Sequence, residues 1–291
     1  MKTYILYNPH AGAGNSREKA EALISLYEGE VTLLDITEIE DYAAFLAPLE
    51  AEDAIVICGG DGTLNRFANA IEGLDCRCDI QYFAIGTGND FLHDLDAESG
   101  EKPFLVKQYL KDLPVVEVNG KKCRFLNGIG FGIDGYCCEI GDKKKAAAPD
   151  KPVNYTAIAI KGLLFHYKPT SATVTVDGKS YTYKKVWIAA TMKGRFYGGG
   201  MMTAPKQDRG NDSGEVTLVV MHGSGKLKTL MVFPSIFKGE HVKHEKMVAV
   251  HTGKDISVTF DRPTALQIDG ETVLDVTTYH VTADAIVPAT V

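Results

Sequence analysis

The segment "DAIVICGGDGTLN" (residues 53–65) contains a strand pattern and a glycine loop from which we predict the fold of the first half of the chain. Its apolar, β-branched beginning is typical of a strand that is buried on both faces. Two glycines, an aspartate and a third glycine follow, and a helical pattern covers residues 63–72. Taken alone, the glycine segment has two interpretations. It is an ordinary turn whose aspartate caps the next helix, or it is a loop that binds phosphate.

The segments on either side repeat the order of strand then helix. Besides 53–59, we predict strands over 3–8, 31–36 and 80–86, and helices over 16–28, with Ser16 as the N-cap, and over 38–49. Such alternation is typical of a mostly parallel sheet covered by helices. The sequence therefore predicts an α/β first domain, which we place at residues 1–124.

The second half changes to a period of two, and we predict a mainly antiparallel β-sandwich over residues 125–291. Asn119-Gly120, Asp177-Gly178 and Asp269-Gly270 are typical of hairpin turns. Helical patterns are predicted there only over 153–166 and 226–237. The glycine-dense segment "NGIGFGIDG" (127–135) is not expected to open a helix, and the lysine run at 141–152 is expected to be a solvated loop.

Composition narrows the class of protein. The chain has 291 residues, of which 45% are hydrophobic and 24% charged, as in globular proteins. Its net charge of −7 argues against a nucleic-acid partner, since phosphate backbones require a basic face. We find neither an apolar run of the roughly 18–20 residues that cross a bilayer nor a signal-peptide pattern. We therefore expect a cytoplasmic protein whose six cysteines are reduced and mostly structural.

Three glycine loops are predicted to leave the carboxyl ends of the parallel strands. They are "NPHAGAGNS" (8–16), "GGDGTLN" (59–65) and "GTGNDF" (86–91). Ligands of parallel sheets collect at this edge, and backbone N–H groups of such loops suit phosphate. Asp61 and Asp90 are also candidate magnesium ligands. A Walker A loop and a dinucleotide-dehydrogenase fingerprint do not match the sequence.

These motifs together resemble the diacylglycerol kinase catalytic domain family, which is related to sphingosine kinases and, more distantly, to NAD kinases. The likeness continues through the second half in "YGGGMMTAPKQDRGNDSGEVTLVV" (197–220), "FKGEHV" (237–242) and "LQIDGET" (266–272). The resemblance implies an NAD kinase/diacylglycerol kinase-like fold. It covers nearly the whole chain, with the motifs in the family's order.

The resemblance also implies a set of site residues. The residues that would bind ATP are Asn8, Thr37, Gly59, Gly60, Asp61, Gly62, Thr63, Asn65 and Thr87. Asp269 and Glu271 would be the catalytic acidic pair, with Asp90 completing a magnesium and water network. Without the other motifs, Asp269-Gly270 reads as a β-turn. A family metal site would use Asp212, besides Asp90.

The chain departs from the family pattern at two places. The first glycine loop has Ala13 and Asn15 where relatives often carry a cation, and the nearest cation is Arg17. The family's structural magnesium site uses two consecutive acids and a glycine, whereas this chain reads "NDSGEV" (211–216). Ser213 replaces the second acid, and Asp208 or Glu215 would have to compensate.

The resemblance implies an ATP- and Mg²⁺-dependent lipid kinase of phospholipid biosynthesis, whose partner is a lipid with a free hydroxyl. Diacylglycerol, phosphatidylglycerol and a sphingoid base all stay open as substrates, and a homodimer is compatible with the sequence. The segment 154–168 has an apolar stripe flanked by lysines, which suits either core packing or peripheral contact with the inner membrane surface. The alternatives are a NAD kinase-like activity and a nucleotide-binding sensor without turnover.

Overall fold

The computed structural model describes residues 1–12, 14–85, 89–97, 102–148, 151 and 153–283. The chain forms two compact units that divide between Leu113 and Pro114. This division lies earlier than the predicted boundary after residue 124, so the hairpin at Asn119-Gly120 belongs to the second unit. No helix in the described ranges is long and apolar enough to cross a membrane.

The first unit is built on a mostly parallel sheet, which confirms the predicted α/β class. The strand order is β2-β1-β3-β4-β5, and only β5 runs antiparallel to its neighbour. The strands are β1 (Lys2–Tyr7), β2 (Glu30–Asp35), β3 (Ala54–Gly59), β4 (Asp79–Ala84) and β5 (Phe104–Leu105). All six residues of β3 are buried, as its apolar sequence predicts for the central strand.

In the described part of the first unit, four short helices accompany this sheet. They are α1 (Ser16–Ala22), α2 (Tyr42–Leu46), α3 (Asp61–Ala70) and α4 (Asp90–Asp94), with 3₁₀ turns at Leu23–Leu26, Ile36–Glu38 and Lys107–Tyr109. The predicted cap of α1 is wrong, because Asn15 is the N-cap and Ser16 is the buried first helical residue. The helix predicted over 38–49 is shorter than expected, because Asp41 caps it by accepting the amide of Ala44.

The second unit is the predicted antiparallel β-sandwich. In its described part, ten strands pair in one continuous network with the order β15-β14-β11-β8-β16-β17-β6-β7, and β9 joins β10 to β16. The strands are β6 (Val115–Val118), β7 (Lys121–Arg124), β8 (Gly128–Gly132), β9 (Thr170–Val176), β10 (Lys179–Val186), β11 (Ile188–Met192), β14 (Val216–Met221), β15 (Val248–Gly253), β16 (Asp255–Ile268) and β17 (Glu271–Thr282). A separate small pair is formed by β12 (Phe196–Tyr197) and β13 (Met201–Met202).

The long strand β16 pairs with different strands along its length and so connects two parts of the second unit. Its first part, Ile256–Phe260, pairs with β9, whereas Leu266–Ile268 pairs with β8. The register against β17 shifts between these parts, so a bulge bends the strand. Phe131 and Phe260 stack in the core at this bend, with ring centroids 4.5 Å apart.

The helices of the second unit correct two predictions. They are α5 (Ile133–Ala147), α6 (Tyr155–Lys161) with a π-helical turn at Gly162–His166, and α7 (Lys226–Val232), followed by 3₁₀ turns at Phe233–Lys238 and Glu240–Lys243. The segment 127–135 does open a helix, and the lysine run begins inside α5 rather than in a loop. Two glycines of α5 allow close packing. A Cβ at Gly135 would clash with the carbonyl oxygen of Ala265, and a Cβ at Gly141 would clash with the ring of Tyr155.

Candidate active site

The carboxyl ends of β1 and β3 bring two predicted site residues together. Asn8 Nδ2 donates a hydrogen bond to Thr63 Oγ1 over 2.8 Å. The amide of Asn8 donates to the carbonyl of Cys58, and its side-chain oxygen accepts the amide of His10. Asn8 therefore ties the first glycine loop to the second, as expected for loops that share one edge of a parallel sheet.

The second glycine loop leaves its backbone open. Gly60 is the N-cap of α3, and, apart from chain neighbours and the backbone of α3, no heavy atom of the described residues lies within 4 Å of the positions that a Cβ would take at Gly60 or Gly62. Gly59 is required for packing, since a Cβ there would lie 2.5 Å from Thr63 Oγ1. The N-terminus of the ten-residue helix α3 carries a partial positive charge and backbone N–H donors. This open backbone fits the phosphates of a nucleotide.

Asp61 links the starts of α3 and α4. Its carboxylate accepts the amide of Phe91 at 3.1 Å and the hydroxyl of Tyr82 at 3.2 Å. Burial, together with the charge of Asp61, raises the pKa of Tyr82 well above its usual value, so this hydroxyl keeps its proton. Asp61 thus holds the second glycine loop against the segment that follows the third.

The other residues predicted for the first unit differ in their surroundings. Asp90 is buried as the first residue of α4. Thr37 is exposed and forms local hydrogen bonds, with its amide and its hydroxyl both donating to Asp35 Oδ1. Asn65 lies one turn into α3 and accepts two hydrogen bonds from Asn69 Nδ2. Thr87 lies outside the described residues.

In the second unit, Asp269 lies at the turn between β16 and β17. Asp269 and Gly270 both have positive φ, of 45° and 90°, as in a hairpin turn. The carboxylate of Asp269 accepts the backbone amides of Leu126, Asn127 (2.8 Å) and Gly128 (2.9 Å). These N–H groups hold the carboxylate in one orientation. Two residues further on, Glu271 is exposed.

Arg209 belongs to this site, and sequence reasoning missed it. It is 6% exposed, and its guanidinium donates to the carbonyl oxygen of Leu126 and, over 2.7 Å, to Asn127 Oδ1. Arg209 thus positions the backbone that binds the carboxylate of Asp269. Its place in the glycine-rich segment 197–220 was the available signal, but the contact spans 83 residues of sequence.

His241, in the "FKGEHV" segment, is buried. Its Nε2 lies 3.0 Å from the carbonyl oxygen of Thr203, so Nε2 carries the proton and donates it. Burial lowers the pKa of His241 to about 4, and the ring is neutral at physiological pH. The residue holds the 3₁₀ turn Glu240–Lys243 to the loop at Thr203.

The resemblance implies two magnesium sites, one beside the nucleotide and one structural, and the described residues fit them differently. Within the described residues, no group of three or more His, Cys, Asp or Glu side chains could hold a metal ion. A magnesium ion that arrives with a nucleotide needs only one or two carboxylates, and the buried Asp90 is the residue expected to contribute one. The loop around Asp212 and Ser213, both exposed, does not fit a structural cation, because side-chain amide N–H groups occupy its carbonyl oxygens.

Comparison with known proteins gives matches over both units. Residues 2–115 match the model of the diacylglycerol kinase catalytic domain, and residues 127–291 match that of the YegS C-terminal NAD kinase beta sandwich-like domain. The chain is 24% identical over 279 residues to the diacylglycerol kinase of Bacillus subtilis (strain 168), covering 92% of this chain and 88% of that protein. It is 26% identical over 283 residues to the diacylglycerol kinase of Staphylococcus aureus (strain MRSA252), covering 92% and 85%.

Solved structures show the same fold. A crystal structure of a diacylglycerol kinase from Bacillus anthracis str. Sterne superposes with a TM-score of 0.64 at 21% identity, covering 97% of this chain and 93% of that one. The β-sandwich model alone accounts for more than half of the chain. The chain therefore belongs to the family that joins a diacylglycerol kinase catalytic domain to a YegS C-terminal NAD kinase beta sandwich-like domain.

Proposed function

We propose that this protein is an ATP- and Mg²⁺-dependent lipid kinase, which transfers the γ-phosphoryl group of ATP to a lipid hydroxyl. The observation that carries the proposal is the open backbone at Gly60 and Gly62, at the start of α3, in a chain of this family. Backbone N–H groups at a helix start stabilise phosphate without needing a charged side chain. This suits a chain whose first glycine loop lacks a lysine or arginine.

Nucleotide binding is assigned to the first unit. Gly60, Gly62 and Thr63 would contact the phosphates, with Asn8 holding the Thr63 hydroxyl in place. Gly59, Asp61 and Asn65 support the same loop, and Thr37 and Thr87 are proposed at its margins. When Mg²⁺ is bound with the nucleotide, it neutralises charge on the phosphate oxygens, and Asp90 is the residue proposed to hold it.

Activation of the acceptor is assigned to the acidic pair of the second unit. A hydroxyl that attacks phosphorus must lose its proton, and a carboxylate within hydrogen-bond reach can accept it. We assign this role to Asp269, whose orientation is set by three backbone amides, with the exposed Glu271 as its partner. The relatives are named diacylglycerol kinases, so diacylglycerol is the first substrate to test.

A lipid substrate implies contact with a membrane surface, and α7 with the π-helical turn is the surface that we propose. Leu227 and Met231, one turn apart on α7, are 72% and 75% exposed, and Phe165 on the π-helical turn is 69% exposed. The two elements are in contact, because Lys226 Nζ donates to the carbonyl oxygen of Leu164 over 2.9 Å. We call Phe165, Leu227 and Met231 the α7 surface. Exposed Lys228 lies on α7, and exposed Lys161 and Lys238 end the adjoining helix α6 and 3₁₀ turn, which suits anionic lipid headgroups.

A kinase assay with γ-labelled ATP, Mg²⁺ and a panel of lipids beside NAD tests this function. We expect label in a lipid product. Removal of the proton acceptor in Asp269→Asn should lower the rate by about 10²–10⁴-fold. The Glu271→Gln variant measures the contribution of its partner. Because the carboxylate of Asp269 also accepts three backbone amides, the stability of Asp269→Asn is compared with that of the wild type by thermal unfolding.

The alternatives give different results in the same assay. Label that enters only the dinucleotide would support a NAD kinase-like activity. Nucleotide binding without any labelled product would support a sensor. A folded Asp269→Asn variant with wild-type turnover would exclude Asp269 as the proton acceptor.

A further inference from the structure

Two side-chain amides close the loop 207–215 that precedes β14. Gln207 Nε2 donates to the carbonyl oxygens of Asp208 (3.2 Å) and Glu215 (3.0 Å). Asn211 Nδ2 donates to the same two oxygens, at 2.5 Å and 3.0 Å. We call Gln207 and Asn211 the amide clip. Each NH₂ group donates to both carbonyl oxygens and so links Asp208, near the start of the loop, to Glu215 at its end.

A hydroxyl group lies against each amide oxygen. Thr217 Oγ1 donates to Gln207 Oε1 over 2.5 Å. Ser213 Oγ lies 2.9 Å from Asn211 Oδ1 and 2.8 Å from Glu215 Oε2, and its single proton is shared between these two acceptors. With hydroxyl groups at the amide oxygens, the NH₂ end of each amide faces the carbonyl oxygens. Gln207 is 6% exposed, so its contacts are protected from water.

This arrangement competes with a cation for the same atoms. Magnesium and calcium require oxygen acceptors, whereas the clip directs N–H donors at the centre of the loop. A carbonyl oxygen has two lone pairs, and that of Asp208 also accepts the backbone amide of Asn211. Ser213 stands where the resembling family has a second acid. Its hydroxyl lies between Asn211 Oδ1 and the Glu215 carboxylate, whereas a carboxylate in its place would repel both.

The loop matters because it contains Arg209. The guanidinium of Arg209 donates to the carbonyl of Leu126 and the side chain of Asn127. The backbone amides of these two residues donate to the carboxylate of Asp269. The amide clip therefore closes the loop that carries Arg209, and Arg209 contacts the two residues whose backbone amides bind Asp269.

We propose that in this chain the amide clip takes the place of a structural cation, so the loop 207–215 holds Arg209 in position without bound metal. Gln207, Asn211 and Arg209 are positioning residues. The link from Arg209 to catalysis rests on the proposed function, whereas closure of the loop does not.

Thermal unfolding of the full chain, without nucleotide, tests the proposal. The melting temperature is measured with excess EDTA and with millimolar Mg²⁺ or Ca²⁺. We expect the wild-type melting temperature to be the same in all three conditions. A wild-type melting temperature that falls in EDTA and returns with Mg²⁺ or Ca²⁺ would overturn the proposal.

A variant with carboxylates in place of the two amides gives a second test, in which we expect the melting temperature to depend on divalent cations. The Gln207→Glu/Asn211→Asp variant faces carboxylates toward the carbonyl oxygens, so we expect its melting temperature in EDTA to fall by on the order of 5 °C. A divalent cation should restore part of this loss, because the two new carboxylates are the oxygen ligands that Mg²⁺ and Ca²⁺ prefer. Wild-type stability of this variant in EDTA would contradict the role of the clip.

Two control variants separate charge from ligation. Gln207→Leu/Asn211→Leu loses the same hydrogen bonds without gaining ligands, so its lower melting temperature should not respond to Mg²⁺. Asn119→Asp adds a carboxylate at an exposed turn and should also be insensitive to Mg²⁺. Restoration of either control by Mg²⁺ would refute ligation by the two new carboxylates. None of these measurements depends on kinase turnover.

Discussion

Asp134, at the start of α5, shows how burial changes the pKa of a carboxyl group. It is 7% exposed, and within the described structure its Oδ2 has no hydrogen-bond partner. Burial raises the pKa of its carboxyl to about 7. Since this value lies above that of the unfolded chain, the folded state binds more protons between about pH 4 and pH 7. Stability from this group is therefore lost as the pH rises through 7.

We expect Asp134→Asn to remove this pH dependence, because the amide is similar in shape and does not ionise. The difference in melting temperature between variant and wild type should shift in favour of the variant from about pH 5 to about pH 8. Thermal unfolding across this range measures the shift. Parallel curves for the two proteins would show that Asp134 is ionised throughout.

At the scale of elements, Asp61 makes the starts of α3 and α4 depend on each other. It accepts hydrogen bonds from Phe91 and Tyr82, both of which are buried. A buried donor that loses its acceptor costs about 1–3 kcal/mol. The glycine loop and the short helix α4 are thus held by one carboxylate.

Asp61→Ala should lower the free energy of unfolding by about 1–3 kcal/mol, since the Phe91 amide loses this acceptor whereas the Tyr82 hydroxyl keeps the carbonyl oxygen of Gly59 at 3.3 Å. Tyr82→Phe removes one of the two hydrogen bonds and should cost less. In the double variant the two losses should not add, because both remove the same contact. Denaturant unfolding measures all three, and strictly additive losses would show that Asp61 and Tyr82 act independently.

At the scale of the whole molecule, charge is unevenly arranged. The net charge of −7 disfavours an anionic membrane, yet the elements of the α7 surface carry exposed lysines beside exposed apolar side chains. Apolar burial gives affinity for a bilayer, and each lysine near an anionic surface contributes about 1 kcal/mol. Membrane contact by this chain is therefore expected to be local and dependent on salt.

We expect Leu227→Ser/Met231→Ser to weaken binding to anionic vesicles at least about tenfold, because the buried apolar area is lost. Vesicle co-sedimentation measures this effect. Leu105→Ser/Leu274→Ser is the matched control, since these leucines are 46% and 52% exposed but lie on other elements. Equal loss of binding in both variants would argue against the α7 surface, and activity on a micellar substrate should be unchanged.

Local patterns predicted most of the elements. Apolar runs, period-two alternation and Asn-Gly or Asp-Gly turns depend on neighbouring residues, and the structure confirms the parallel sheet, the sandwich and the hairpin at Asn119-Gly120. The helix α5 was missed because Gly135 and Gly141 look like loop residues. The backbone of Ala265 packs against Gly135 and the ring of Tyr155 packs against Gly141, so neither position has room for a side chain.

The two fold classes, the family resemblance and the candidate residues of the glycine loops could be predicted before folding was known, because they follow from short-range periodicity and motif order. Three contacts could be seen only in the folded chain: Asn8 binds Thr63, Asp61 joins two helices, and Arg209 supports the backbone that holds Asp269. The same is true of the amides that close the loop 207–215. Such contacts depend on hydrogen-bond geometry between atoms that the fold brings together, and the orientation of a buried amide is set by the donors around it.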